Sequence, residues 1–366
     1  MASALAACVS TPERPHITAS DQATARLEGY GTVRIWEDAD LTEWRRWRNR
    51  MLAQRQGPGP TGQFEMLAIS SGSDKGAFSA GFLNGWSEKG TRPRFDIVSG
   101  VSTGALIAPF AFLGEKYDPQ LRELYTTINA RTIYRTTALK GLLGGPSLAS
   151  TEPLTELIKS YADAVLIDAV AREHNKGRRL LVQTTNLDAE RGVVWDMGAI
   201  AASDEPKRYQ LFRQVLLASA SIPGFFPPVL IDVKGQSTRF AELHVDGGTT
   251  SSVIVIPPSV LFAKPQDAPA MVGRITILYN GALQPVYQVT EQSAFSILER
   301  ALTTSLKTAD QRSLAEITRF AETRNLTLDI YSIGDAAEDP EAELFDQEYM
   351  QALYNLGRER ALDMER

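Results

Sequence analysis

Apolar residues follow two periods from about residue 64 onward. The run 64–70 is almost continuously apolar and predicts a buried strand, whereas apolar residues at every fourth position across 77–86 predict a helix. A second apolar run at 95–99 predicts another strand, and the small residues of 100–108 permit a helix after it. Strand, helix, strand and helix in this order favour a parallel sheet that is covered on both faces.

The same patterns predict elements over the rest of the chain. Further strands are predicted at 31–36, 179–186, 192–195, 229–233, 240–245, 274–279 and 326–333. Further helices are predicted at 41–55, 118–130, 153–161, 167–174, 205–218, 290–322 and 341–363. Pro109 lies inside the helix expected after residue 100, where it removes a hydrogen bond, so we expect a kink or an early stop there.

These elements divide the chain into four parts. Residues 1–22 are a polar, proline-containing tether, and 23–62 form a lead-in segment that ends in a glycine- and proline-rich breaker. Residues 63–335 form the main domain, and 336–366 carry a C-terminal helix. We therefore predict a three-layer α/β/α fold around a mainly parallel central sheet.

Composition excludes several classes of function. The chain has 366 residues, of which 43% are hydrophobic and 22% charged, and its net charge is −6 without a block of like charge. Nucleic acid is therefore not expected as a partner. No apolar run approaches the roughly 20 residues that span a bilayer. There is no metal-ligand cluster such as His-x-x-x-His, and no cofactor is predicted.

Cys8 is the single cysteine, so a disulfide within the chain is excluded. The sequence from Leu5 to Cys8 resembles the lipobox of bacterial lipoproteins, in which the cysteine becomes a lipidated N-terminus. Only seven residues precede it, without a basic segment or a full apolar stretch, so this interpretation requires a longer precursor. It predicts a protein tethered in the bacterial cell envelope, on the periplasmic side. The alternative is a frayed N-terminus with an incidental cysteine in a cytoplasmic protein.

Ser102 is the candidate nucleophile. It lies in a Gly-x-Ser-x-Gly pattern between Gly100 and Gly104, after a predicted strand and before a predicted helix. This is the pattern of a nucleophile elbow, a sharp turn that exposes a serine hydroxyl above a sheet. The N–H groups of the following helix favour negative charge there. The alternative is an ordinary buried turn between a strand and a helix.

Two further motifs carry chemistry. The small-residue loop 71–76 lies between a predicted strand and a predicted helix, an arrangement that can bind an anion through backbone N–H groups. Asp246 follows an apolar strand and precedes Gly247 and Gly248, so we expect it at a strand end. It is a candidate base, although Asp-Gly is also a common turn pair.

Taken in order, these motifs resemble those of the patatin-like phospholipases, in their bacterial branch. The family has a glycine-rich oxyanion loop, a Gly-x-Ser-x-Gly elbow and a later Asp-Gly-Gly or Asp-Gly-Ala. The segment 218–228 is also similar to the family's Ala-Ser-x-x-Ile-Pro-x-x-Phe-Pro-Pro stretch. This chain departs from the pattern at Ser71 and Ser73, which replace the first and third loop glycines.

The resemblance implies a serine lipid acyl hydrolase of phospholipase A, lysophospholipase or esterase type. Ser102 and Asp246 would form a catalytic dyad in which the aspartate is the base. The oxyanion would be bound by the loop residues Gly72, Ser73, Lys75 and Gly76. The substrate would be a lipid or another acyl ester.

Histidines are the basis of the rival enzyme class. An α/β-hydrolase esterase would need serine, acid and histidine in that order, but only His174 and His244 follow Ser102. We expect structural roles for both histidines, and therefore no histidine limb near pH 6.5 in a pH–rate profile. A second alternative is a non-catalytic lipid-binding protein with the same fold, which the two loop serines favour.

Overall fold

The computed structural model describes residues 14, 16–53, 64–127, 129–136, 147, 149–255, 257–263, 273–334, 339 and 342–365. Cys8 lies outside the described residues, as do most of the predicted tether and the predicted breaker. The strands are β1 (Arg34–Trp36), β2 (Phe64–Ile69), β3 (Ile97–Val101), β4 (Arg135–Thr136), β5 (Ala149–Ser150), β6 (Arg179–Asn186), β7 (Arg191–Asp196), β8 (Val229–Lys234), β9 (Arg239–Asp246), β10 (Gly273–Tyr279) and β11 (Thr327–Ser332).

The longer helices lie near the predicted positions, with shifted ends. The helices are α1 (Ala19–Ala23), α2 (Leu41–Ala53), α3 (Gly76–Glu88), α4 (Thr103–Leu113), α5 (Asp118–Thr126), α6 (Ala130–Ile133), α7 (Glu152–Tyr161), α8 (Ala164–Asn175), α9 (Met197–Ala201), α10 (Arg208–Ser219), α11 (Pro258–Leu261), α12 (Ala294–Arg324) and α13 (Gln347–Asp363). The short helices α1, α6, α9 and α11 were not predicted.

Nine strands of the described residues form one sheet. Its main order is β1-β7-β6-β3-β2-β10-β11, and β9 pairs with both β6 and β8. The five strands from β6 to β11 in this order are parallel, whereas β1, β7, β8 and β9 join by antiparallel pairing. The mainly parallel sheet that was predicted is therefore confirmed.

Alternate residues of β2 show how the sheet is covered. Leu67 and Ile69 belong to a core that includes α3, α4, α8, α10 and α13. Met66 and Ala68 face the other way, toward the buried end of α12. Farther along that second face, Trp44 and Trp47 of α2 pack on β6 and β7. Because side chains alternate across a strand, helices cover both faces and the fold has three layers.

The prediction that the helix could stop early at Pro109 is wrong. Helix α4 passes through Pro109 and ends at Leu113. Pro109 lacks the N–H that would otherwise bond to the carbonyl of Ala105, but Pro109 and Phe110 are buried. Packing on both sides of the missing bond therefore holds the helix together.

The C-terminal helix is part of the core. Its residues Met350, Leu353 and Tyr354 are buried against α3. The two helices approach closely through glycines, since a Cβ on Gly81 would lie 1.9 Å from the carbonyl oxygen of Tyr354. The polar residues of α13 lie on its outer surface, and a narrower apolar face packs against α3.

Candidate active site

Strand register brings the ends of β3 and β9 together. β3 runs parallel to β6 with Val101 opposite Gln183, and β9 runs antiparallel to β6 with Asp246 opposite Thr184. The other edge of β6 pairs with β7, so β3 and β9 share one edge. Since Gln183 and Thr184 are neighbours, Asp246 at the end of β9 meets Ser102, which directly follows β3.

Ser102 and Asp246 are in direct contact. The Ser102 hydroxyl donates a hydrogen bond of 2.6 Å to Oδ2 of Asp246. Each residue is only 5% exposed, so bulk water does not compete strongly for this bond. The two residues are separated by 144 positions in the sequence. The structure therefore joins the predicted nucleophile to the predicted base without a residue between them.

The backbone at Ser102 is strained. Its φ is +55° and its ψ −122°, a conformation that costs a non-glycine residue of the order of 1–3 kcal/mol. The flanking glycines make the sharp turn sterically feasible. A Cβ on Gly100 would lie 2.2 Å from the carbonyl oxygen of Gly104, and one on Gly104 would lie 2.3 Å from that of Ile69. The turn holds the hydroxyl at the N-terminus of α4.

Burial raises the pKa of Asp246 to about 7, although hydrogen bonds from Ser102 and the N–H of Gly248 oppose the shift. The Gly248 N–H donates to Oδ1 over 2.7 Å, which leaves Oδ2 for the serine. Gly247, which follows Asp246, lets the turn approach the β6 backbone closely, since a Cβ on Gly247 would lie 2.4 Å from the carbonyl oxygen of Gln183. A carboxyl with this pKa can accept a proton near neutral pH.

The last residue of α10 and the segment after it position both residues of the pair. The Ser219 hydroxyl accepts a hydrogen bond of 3.0 Å from the Ser102 N–H and donates one of 2.7 Å to the carbonyl of Gln183. The carbonyl of Ser221 accepts from the Asp246 N–H over 2.9 Å. The sequence revealed 218–228 only as a motif, without roles for these serines.

The loop 71–76 lies against the elbow. A Cβ on Gly76 would lie 2.3 Å from Oγ1 of Thr103, and one on Gly248 would lie 3.4 Å from the side chain of Ser71. Gly72 has a φ of +152° and Ser73 a φ of +55°. Ser73 therefore accepts the positive φ that a glycine at this position would adopt freely.

Two backbone donors of this loop are available. The N–H of Lys75 donates to the carbonyl of Gly72, and that of Gly76 donates to the carbonyls of Ser73 and Asp74. Within the described part of the chain, the N–H groups of Gly72 and Ser73 donate to no protein group. Of the four predicted donors, Gly72 and Ser73 are therefore free to bind a ligand anion.

Asn280 holds this loop, a role that sequence analysis missed. Its N–H donates to Oγ of Ser70 and its side-chain amide to the carbonyl of Ser70. Ser79 donates to Oδ1 of Asn280 over 2.6 Å. A Cβ on Gly72 would lie 2.5 Å from the Asn280 side chain. The available signal was position, because Asn280 directly follows β10 at the same sheet edge.

The histidines lie elsewhere. His244 is fully buried, its Nδ1 is 2.8 Å from Oγ1 of Thr184, and its Nε2 is 3.1 Å from Glu242. Burial lowers the pKa of His244, with the bond to Glu242 opposing the shift. His174 is buried near the end of α8, with Nδ1 3.5 Å from Asp196. His16 lies in the N-terminal region, and none of these rings is bonded to Ser102 or Asp246.

Glu37 is a second acid with a raised pKa near the site, and it is only partly buried. Burial and the nearby Asp38 carboxylate raise its pKa to about 7, against hydrogen bonds from Ser251 and Gln183. The Gln183 amide is 3.3 Å from Glu37 and 3.1 Å from Oγ1 of Thr250, in the turn after Asp246. Glu37 of the lead-in segment is thus linked through Gln183 to the turn that follows Asp246.

The described residues contain no group of three or more His, Cys, Asp or Glu side chains that could hold a metal ion. None of the helices in the described ranges combines the length and apolar character needed to cross a membrane.

Comparison with known proteins was made at three levels. A search of curated protein sequences finds no match. Among solved structures, VipD from Legionella pneumophila is similar with a TM-score of 0.39 and 11% sequence identity, over 84% of this chain and 70% of VipD. The family model for the patatin-like phospholipases matches residues 67–258. That match spans just over half of the 366 residues and includes Ser102, Asp246 and the loop between β2 and α3. The chain therefore belongs to the patatin-like phospholipase family, a family of lipid hydrolases.

Proposed function

We propose that this protein is a serine lipid acyl hydrolase that cleaves carboxylic acyl esters through an acyl-enzyme on Ser102. The observation that carries the proposal is the buried 2.6 Å hydrogen bond between Ser102 and Asp246. A serine hydroxyl becomes a strong nucleophile only when a base takes its proton, and Asp246 is the group in position to do so.

In the acylation step, the Ser102 hydroxyl oxygen attacks the acyl carbonyl carbon while its proton moves to Oδ2 of Asp246. The ester bond then breaks, and the departing alcohol takes this proton. Water hydrolyses the acyl-enzyme by the same route, with Asp246 first accepting and then returning a proton. Because burial raises the pKa of Asp246 to about 7, both transfers are feasible near neutral pH.

The negative charge that forms on the carbonyl oxygen requires donors. We assign this role to the N–H groups of Gly72 and Ser73, which have no other acceptor among the described residues. The positive φ of Ser73 supports the assignment, since a strained backbone is retained where function needs it. One such donor contributes about 10²–10³-fold to kcat in a comparable hydrolase.

The decisive experiment is active-site labelling combined with activity. Wild-type protein should hydrolyse a soluble short-chain ester and should be labelled by a fluorophosphonate, with the label on Ser102. Ser102→Ala should lose both while keeping its thermal unfolding temperature. Ser160→Ala, at an exposed serine of α7, is the matched control and should retain both.

The result also separates the alternatives. Equal labelling of Ser102→Ala and wild type would refute the nucleophile. Binding of lipid without labelling or hydrolysis by wild-type protein would instead identify a non-catalytic lipid-binding member of the family. The lipid and the acyl position would then be determined by mass spectrometry of products from mixed phospholipid substrates.

We further propose that the native protein is anchored in a bacterial cell envelope through a lipidated Cys8. The lipobox-like sequence before Cys8 supports this proposal. Stable anchoring takes more than one acyl chain, and lipoprotein processing supplies several. The gene expressed from its native locus in the source organism should yield protein in a detergent phase, and Cys8→Ser should release it. An unlipidated, water-soluble native protein would contradict the proposal.

A further inference from the structure

Helix α12 extends past the sheet edge that carries the candidate site. It connects β10 to β11, which are parallel neighbours, so it runs back against the strand direction. The hydroxyl of Tyr279, the last residue of β10, donates to Asp310 over 2.8 Å. The helix therefore passes the carboxyl edge near residue 310. At a rise of 1.5 Å per residue, 294–309 project about 24 Å beyond it.

This projecting half carries an uncovered apolar stripe. Leu298, Leu302 and Leu306 are 59%, 56% and 37% exposed, and their spacing of four places them on one side of the helix. We call these three residues the leucine stripe. Ile297, which precedes Leu298, is also 54% exposed and lies about 100° from it around the helix axis. The other half of α12 is different, since its apolar residues, such as Phe320, are buried against the sheet.

The stripe rises from the same edge as Ser102. Asn280 follows β10 directly and holds the loop that contains Gly72. In the sheet, β2 separates β10 from β3, so the ends of β10 and β3 are about 10 Å apart. A surface bound to the stripe would therefore lie beyond the sheet edge that carries the candidate site.

The residue types in the projecting half of α12 favour lipid as the partner that covers the leucine stripe. Only Glu299, Arg300 and Lys307 are charged between 294 and 309. Arg300 lies on the side away from the stripe, where it donates to the carbonyl of Val286 and the side chain of Gln288. A helix with one apolar side lies in a bilayer interface with that side buried about 5–10 Å deep.

We propose that the leucine stripe docks on a zwitterionic phospholipid surface and directs the candidate site toward it. The proposal rests on the proposed function, because a lipid acyl hydrolase must reach substrate held in such a surface. It specifies the physical form of the substrate, an ester in a bilayer. Apolar insertion provides the affinity, so added salt should change binding little.

The test measures docking separately from catalysis. Full-length protein carrying Ser102→Ala, produced without lipid on Cys8, is mixed with phosphatidylcholine vesicles and separated by flotation. Leu298→Ser combined with Leu302→Ser in this background should lower the vesicle-bound partition coefficient about tenfold or more. The control is Phe262→Ser, which changes a residue that is 71% exposed. Its neighbour Ala263 contacts Arg324 at the far end of α12, so this change should have no effect.

With Ser102 restored, the double leucine variant should lose hydrolysis of vesicle lipid but keep kcat and KM for a soluble short-chain ester. Unchanged vesicle binding would overturn the docking surface. So would a wild-type dimer that the double variant converts to a monomer, because the stripe would then be a subunit interface. An altered kcat for the soluble ester would also overturn it, since the helix would then act as a lid.

The two proposals fail in different ways. Leucine-dependent vesicle binding without hydrolysis of any ester would retain the docking surface and refute the proposed function. Ester hydrolysis that depends on Ser102, together with vesicle binding that does not depend on the stripe, would do the reverse. Circular dichroism and thermal unfolding of each variant show that the fold is intact.

Discussion

Asp246→Asn should remove most activity and yet increase stability in a pH-dependent way. Burial holds the pKa of Asp246 at about 7 in the folded protein, against a value of 3.8 without the fold. The difference is about 3 pH units, and each unit is equivalent to 1.36 kcal/mol. The buried carboxylate therefore lowers the free energy of unfolding by up to about 4 kcal/mol at pH 7 and above.

The sign follows from proton binding. Below about pH 4 the carboxyl is protonated in both states and has no effect. Between about pH 4 and pH 7 the unfolded state releases its proton while the folded state keeps it, so stability falls by about 1.4 kcal/mol per pH unit. Asparagine does not titrate. The stability advantage of Asp246→Asn should therefore grow across this range and level off above pH 7.

Urea unfolding of wild type and Asp246→Asn at pH 4.5, 5.5, 6.5 and 8 would measure this difference. The pKa of Glu37 is also raised to about 7, but Glu37 is present in both proteins and its contribution cancels. The same variant should lose about 10²–10⁴-fold in kcat, the usual contribution of a general base. A stability difference that is constant with pH would refute the raised pKa, and retained kcat would refute the base.

Three further predictions address the rest of the site and the core. His244→Gln should keep kcat within about tenfold, because the ring contacts Thr184 and not Ser102; a folded variant as inactive as Asp246→Asn would instead require a histidine triad. Gly72→Ala should lower kcat by about 10²-fold in steady-state assays, since its Cβ would displace the oxyanion loop. The control is Gly90→Ala, which is also at positive φ but has no atom within 4 Å and should keep kcat. Equal effects of the two changes would place the oxyanion donors elsewhere. Gly81→Ala should destabilise the fold by about 1–3 kcal/mol by separating α3 from α13, and an unchanged thermal midpoint would contradict that packing.

The structure assigns a limb of the pH–rate profile to Asp246. The sequence alone predicts no limb near pH 6.5, because it assigns no histidine to catalysis. Since the pKa of Asp246 is about 7, the profile should instead rise through a limb near pH 7 as the carboxyl ionises. Such a limb would resemble that of a histidine, so the comparison of His244→Gln with Asp246→Asn distinguishes the two.

Local patterns were sufficient to predict much of this protein. Apolar runs and four-residue spacings located the strands and helices, because burial and backbone periodicity act over neighbouring residues. Gly100 and Gly104 marked the turn at Ser102, since the clashes that demand glycine there involve residues next to the turn or in the adjoining strand. Asp246 could be placed at a strand end for the same local reason.

Long-range geometry was decided only by the tertiary structure. Ser102 meets Asp246 because β9 continues along β6 where β3 stops, and no local pattern encodes that register. The Ser219 and Asn280 contacts join residues far apart in sequence, and the raised pKa of Asp246 depends on how completely the fold removes water from it. The sequence also could not decide between a kink and an early stop at Pro109, because the packing that keeps the helix running to Leu113 is tertiary. Propensity describes one residue and its neighbours, whereas a site depends on which distant groups the folded chain brings within bonding distance.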